Sequence, residues 1–332
     1  MTEPGTLLPS VRGLLRELEQ RPTTDFASLD APEAIAAYLE VARRPLARPR
    51  GMDVDRVEDL VVGERDVPVR IYQPKSERPL PGLVYYHGGG WVVGDLEMHD
   101  DTCRMLANEA QCIVVSAEYR LAPEHPFPIP LDDCWSVLQW AHAHLGERGW
   151  NGSTLAVGGT SSGGNLSAAV ALRARNEGLA LSLQLLLYPA LDSAMATPSW
   201  RNFASGYFLT AAQMAWYWRM YAAEPGVRRL PDVSPSHSTD LAGLAPAVVV
   251  TAEFDVLRDE AEDYARRMRE AGVPVRLWRF SGQIHGFLSL GASLPEVQEA
   301  KVAIASLVGA VFANGAVVSD AAAGVPPGVV AL

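Results

Sequence analysis

The sequence predicts an α/β protein built on a mostly parallel sheet of eight strands flanked by helices, with a small helical cap. Two observations carry this. From Val57 onward, short β-branched runs alternate with helical segments, and strands separated by helices must cross over and pair in parallel. The runs LLLYPAL and AVVV are also almost continuously apolar, as strands covered on both faces should be. The chain has 332 residues, of which 48% are hydrophobic, enough for one large core with a small appended region.

Residues Met1 to about Arg50 read as two amphipathic helices, Val11 to Gln20 and Pro32 to Ala42, closed by the proline-rich RRPLARPRG. The strand-like runs that follow are VEDLVVG, VPVRIY, LVYY, CIVVSAEY, TLAVGG, LSLQLLLY, PAVVVTAE and VPVRLWRF. The first two, joined by a short turn at Gly63, should pair antiparallel at one edge. Helices are expected at Met98 to Glu109, Leu131 to His144, Asn165 to Asn176, Arg258 to Ala271 and Pro295 to Phe312. Asp192 to Ser236 breaks the rhythm with no strand signal, but with a helix start at Thr210-x-x-Gln213. The expected division is therefore 1–50 as the N-terminal part of a cap, 51–191 and 237–313 as core, 192–236 as a cap insertion and 314–332 as a flexible tail.

A formal net charge of −11 with no basic cluster excludes a nucleic-acid partner. The start lacks a basic stretch followed by an apolar core, and no stretch reaches the roughly 18 apolar residues of a membrane span, so the expectation is a cytoplasmic protein without stable membrane association. Its three cysteines, Cys103, Cys112 and Cys134, lack the spacing of a zinc site or a disulfide framework, so neither is expected.

The chemistry centres on TLAVGGTSSGGNL. An apolar strand ends at Gly159-Thr160-Ser161-Ser162-Gly163, which fits G-x-S-x-G with Ser161 in the middle. A sharp strand-to-helix turn crowds its flanks, so glycines stand at 159 and 163 and the corner exposes Ser161 Oγ. Ser162 opens the helix and presents its backbone N–H where negative charge develops. A second strand, LVYY, runs into His87-Gly88-Gly89-Gly90-Trp91, whose side-chain-free amides at Gly88 and Gly89 can approach a substrate oxyanion together with that of Ser162. His87 is expected to orient this loop rather than transfer protons.

A nucleophilic serine needs a base, and the base needs an acid, in the chain order Ser, Asp or Glu, His. Of seven histidines, His142 and His144 fall in a helix, His237 in a polar loop, and His99 and His125 precede the serine, which leaves His285 in SGQIHGF after the last strand. Asp255 ends the strand of AVVVTAEFD at the same sheet edge and is better placed than Glu253 or Asp259.

HGGGW, YRLAPEHPFPIPLDD, GTSSGGNL, DVLRDE and IHGF together resemble the hormone-sensitive-lipase-like branch of the α/β-hydrolase fold, the bacterial family IV carboxylesterases. The resemblance implies a triad at Ser161, Asp255 and His285, an oxyanion hole at Gly88, Gly89 and Ser162, and a cap made by the N-terminal segment and the insertion. It further implies hydrolysis of short- to medium-chain esters of small molecules without a cofactor, and homodimers in many members. The chain departs from the family at Thr160, Ser162 and Val256, where Asp, Ala and Pro are usual. A ligand-binding receptor on the same fold, an amidase or a thioesterase are the alternatives. Arg120 and Glu124 of YRLAPEHPFP are expected to be buried polar tethers. Trp91 is expected near the substrate pocket, and the helix face of Met214, Tyr217, Trp218 and Tyr221 to pack the cap or line that pocket.

Overall fold

A computed structural model describes residues 5–20, 24–43, 51–291, 294–315 and 325–332. Residues 44–50 of the RRPLARPRG segment and residues 316–324 of the expected tail lie outside the described residues.

The chain begins with helices α1 (Pro9–Glu19) and α2 (Pro32–Ala42), followed by strands β1 (Arg56–Val62), β2 (Val67–Gln73) and β3 (Leu80–Tyr86). Then come α3 (Asp100–Ala110), β4 (Ile113–Ala117), α4 (Ile129–His144), β5 (Trp150–Thr160), α5 (Ser162–Asn176) and β6 (Leu183–Leu187). The helices α6 (Pro198–Asn202), α7 (Ala211–Tyr221) and α8 (Pro225–Arg228) precede β7 (Ala247–Phe254), α9 (Arg258–Glu270), β8 (Val275–Ile284), α10 (Val297–Asn314) and β9 (Val329–Ala331).

The strands form one sheet in the order β1-β2-β4-β3-β5-β6-β7-β8-β9. β1 pairs antiparallel with β2, and β2 with β4; from β4 to β8 every pairing is parallel. Period-two alternation sends each strand's side chains to two cores. Val84 and Tyr86 of β3 join the core with α4 and α5, while Leu83 and Tyr85 join the core with α3 and α10. The same split places Val249 of β7 against α9, and Val248 and Val250 on the opposite face. The parallel strands therefore end together on one edge, with helices on both faces.

Two features differ from expectation. Among the described residues the sheet has nine strands, because the end of the chain is not wholly a loose tail: β9 pairs antiparallel with β8, and Leu332 N–H donates to Leu277 O at 3.1 Å. Its small, aperiodic composition gave no strand signal, yet the open edge of β8 supplies the partners that a three-residue strand needs. The two N-terminal helices also part company. α2 packs on α7: the Phe26 and Tyr38 rings lie 5.6 and 5.3 Å from Trp216, whose indole N–H donates to Leu29 O at 2.8 Å. By contrast α1 sits on the body, with Val11, Leu14 and Leu15 in the α3/α10 core and Leu8 N–H bonded to Gly282 O at 3.1 Å.

α7 starts where its capping sequence places it, Thr210 Oγ1 accepting from Gln213 N–H at 3.1 Å. In YRLAPEHPFPIPLDD the buried tether is Asp133, which accepts from both Arg120 and Arg65, whereas Arg120 and Glu124 are themselves partly exposed. Burial alone would raise the Asp133 carboxyl; the bonds from Arg120 and Arg65 outweigh it and hold the group below its ordinary value.

Candidate active site

Ser161 stands between β5 and α5 with φ 53° and ψ −117°. A left-handed backbone is strained for a serine, and the surrounding chain fixes it. Ser161 N–H donates to Leu187 O at 2.9 Å, and Ala190 N–H donates back to Ser161 O at 3.2 Å. The flanking glycines are steric necessities. A Cβ on Gly159 would lie 2.3 Å from Tyr86 O, and one on Gly163 would lie 2.0 Å from the same atom. The corner is thus pressed against the end of β3, which leaves the serine side chain as the part that projects.

Ser161 Oγ meets His285 Nε2 at 3.0 Å, and His285 Nδ1 meets Asp255 Oδ2 at 2.8 Å. The carboxylate can only accept, so Nδ1 carries the proton and Nε2 offers its lone pair to the serine hydroxyl. Asp255 directly follows β7 and its other oxygen accepts Leu257 N–H at 2.9 Å, which locks the carboxylate plane. All three groups are nearly out of solvent: Ser161 is 8% exposed, His285 6% and Asp255 1%. The competing acids are engaged elsewhere. Glu253 accepts the amides of Gly5 and Gly282, and Asp259 that of Ser199. Of the two adjacent serines, it is Ser161 that faces the imidazole, while Ser162 is fully buried.

The glycine loop after β3 wraps over this corner. His87 is buried; its Nδ1–H donates to Gly88 O at 2.7 Å and its ring stacks on Tyr119 at 4.2 Å. Burial pushes its imidazole down to about 4 against the pull of the Gly88 carbonyl, so it stays neutral at neutral pH and braces the loop, as expected. The Gly88 amide is already used, donating to His99 Nε2 at 3.3 Å. The same nitrogen lies 3.3 Å from Thr160 Oγ1, so Thr160, where the family usually has Asp, joins this small buried cluster. Gly89 has φ 121°, and a Cβ there would lie 2.0 Å from Val93 O.

The serine opens into a cavity of about 270 Å³ lined by the glycine loop, Met98, His99, Tyr188, Phe208, Leu209, Gln213, Met214, Tyr217, Gly286, Ser289 and Leu290. Met214 and Tyr217 line it, but Trp91 and Trp218 do not. With φ 61°, Trp91 turns into the core, where its ring stacks on Tyr221 at 4.5 Å and lies 4.4 Å from Trp218. The helix face is wider than the cavity, so Trp218 and Tyr221 pack the cap while Met214 and Tyr217 look inward. Sequence reasoning did not reach Tyr188, Phe208 or His99, because nothing local marks them; only the approach of distant segments brings them to the serine.

A family model for the alpha/beta hydrolase fold matches residues 83–289. The carboxylesterase NlhH of Mycobacterium tuberculosis is 38% identical over 314 residues, covering 90% of this chain and 96% of the relative. An arylesterase of Saccharolobus solfataricus is 37% identical, covering 84% of this chain and 92% of its own length. Among solved structures, an alpha/beta hydrolase enzyme from the metagenome of Lake Arreo, Spain, superposes with a TM-score of 0.84 at 38% identity, covering 93% and 99% of the two chains.

Proposed function

Because the chain belongs to the alpha/beta hydrolase family, in its hormone-sensitive-lipase-like branch, we propose that it is a serine carboxylesterase acting on short- to medium-chain esters of small molecules. The observation that carries this reading is the continuous relay from Ser161 Oγ through His285 to Asp255, at 3.0 and 2.8 Å.

His285 Nε2 takes the hydroxyl proton as Ser161 Oγ attacks the ester carbonyl carbon. The negative charge that grows on the carbonyl oxygen is met by the backbone N–H groups of Gly89 and Ser162, the latter at the N-terminus of α5. Gly88 serves this hole indirectly, its amide tying the loop to His99. The imidazolium, held by Asp255, then hands its proton to the departing alcohol. Water repeats the cycle on the acyl-enzyme and releases the acid. In this reading α2 and α7 form the cap, with residues 51–191 and 237–313 as the catalytic core. A cytoplasmic location and a homodimer belong to the same proposal, and the family resemblance supports the homodimer. Among the described residues no helix is long and apolar enough to cross a membrane.

A receptor built on this fold has no need for a base poised on a serine, and His285 is in place. The test is release of p-nitrophenol from acetate and butyrate esters, with intact mass measured after an organophosphate. Ser161→Ala should lose both turnover and labelling, and Ser162→Ala should keep the labelling. Labelling that survives at position 161 removed but not at 162 would sink the reading. Matched ester, amide and thioester rates separate it from the amidase and thioesterase alternatives.

A further inference from the structure

We infer that Phe208 is the residue that sets preference for the alcohol portion of the ester, favouring a flat apolar group; this rests on the esterase reading above. Phe208 stands out three times over. Its backbone has φ 73°, a left-handed conformation that is a real outlier for a bulky residue. The residue remains 43% exposed although it borders the reaction cavity, which places it at the mouth. Its Cε1 would lie only 3.6 Å from a Cβ on Gly286, so the ring covers the turn that follows His285.

The position of the base decides which part of the substrate meets this ring. His285 must protonate the leaving oxygen, so that oxygen has to come within hydrogen-bond reach of Nε2, and whatever is attached to it must pass over the His285–Gly286 turn. Phe208 roofs that turn. The backbone that carries the ring is held in place: Ala211 N–H donates to Ala204 O at 2.9 Å and closes the loop, Leu209 is buried beside it, and the cap of α7 follows at Thr210. A half-exposed aromatic face on a held backbone gains most by covering an apolar, preferably aromatic, alcohol group. Such contact is equal in ground and transition states, so it belongs in KM rather than in kcat.

The test compares benzyl butyrate with methyl butyrate, which share an acyl group, in the parent protein, Phe208→Ala and Phe208→Tyr, with thermal melts to confirm folding. Phe208→Ala should lower the benzyl-to-methyl ratio of kcat/KM about tenfold, equivalent to about 1.4 kcal/mol, through a raised KM for the benzyl ester. Phe208→Tyr keeps the ring and should hold the ratio within about twofold. Should Phe208→Ala fail to fold, Phe208→Leu takes its place, with the same expected direction. An unchanged ratio, or a ratio that Tyr lowers as much as Ala, overturns the inference. A parent protein inert toward both esters overturns the esterase reading itself, and the alcohol-site inference with it.

Discussion

Gly90 lies directly beneath the ring of Tyr217: a Cβ built on the glycine would fall 2.3 Å from the ring's Cγ. The glycine loop and the cap helix α7 are therefore in contact with no room for a methyl group. Tyr217 has little freedom to retreat, since its hydroxyl accepts from Gln213 Nε2 at 3.2 Å and lies 3.4 Å from that of Tyr38 on α2. Gly90 also has φ 63°, where an alanine is strained. Gly90→Ala should lower kcat/KM on the order of a hundredfold by displacing the loop. Adding Tyr217→Ala should restore part of the loss, and the double-mutant cycle measures the coupling; equal losses in single and double variants would show that the cap does not hold the loop.

Asp255→Asn keeps the shape of the acid but removes its charge and turns an N–H toward His285 Nδ1 in place of an acceptor. The imidazole would then carry its proton on Nε2, which could no longer accept the hydroxyl proton of Ser161. Turnover should fall on the order of 10⁴, with KM changed far less, in steady-state assays on p-nitrophenyl butyrate. A loss under tenfold would mean another group orients the base.

His99 accepts the Gly88 amide and meets Tyr85 OH at 3.5 Å through its other nitrogen. Replacing it with leucine leaves the buried Gly88 N–H without this acceptor, which costs about 1–3 kcal/mol. His99→Leu should reduce kcat roughly 10- to 100-fold with a smaller change in KM, because the neighbouring Gly89 amide loses its setting in the transition state. His99→Gln, which can still accept, should recover much of the loss.

Glu260 of α9 anchors the root of the cap insertion, accepting from the amides of Leu191 and Asp192 at 2.7 and 3.1 Å and from the Trp200 indole at 2.8 Å. Burial pushes its carboxyl from the ordinary 4.5 up to about 8, although these donors pull it down. Between those values the folded protein binds a proton that the unfolded chain has released, so stability from this group is complete below about 4.5 and is lost as pH rises through about 8. The melting temperature should fall between pH 5.5 and 8.5, and Glu260→Gln should flatten that slope. Because its amide N–H₂ would face the Trp200 N–H, Glu260→Gln should also be less stable at pH 5.5, by about 1–3 kcal/mol.

The catalytic relay was legible because its three members obey local rules. Ser161 needs glycines on both sides of a tight corner, and Asp255 and His285 each follow an apolar strand, so chain order and sheet direction suffice to bring them together. The periodicity of α2 and the capping sequence of α7 were equally readable. What escaped depends on partners remote in sequence. The helical pattern of α7 shows that Met214, Tyr217, Trp218 and Tyr221 share a face, but not that the face divides between a cavity and Trp91. The turn of Trp91 into the core follows from a left-handed backbone that its sequence does not announce. Likewise the amide of Gly88 was counted for substrate because nothing nearby in sequence revealed that His99 claims it.

The strand at the very end of the chain bears on how copies could meet. With Val329–Ala331 laid along Trp278–Phe280, the edge on that flank is a strand of three residues, which offers a second molecule only a few ladder bonds. The longer edge of the described sheet is the outer rim of β1, where Val61 stands 63% exposed, so self-association that continues the sheet is favoured there.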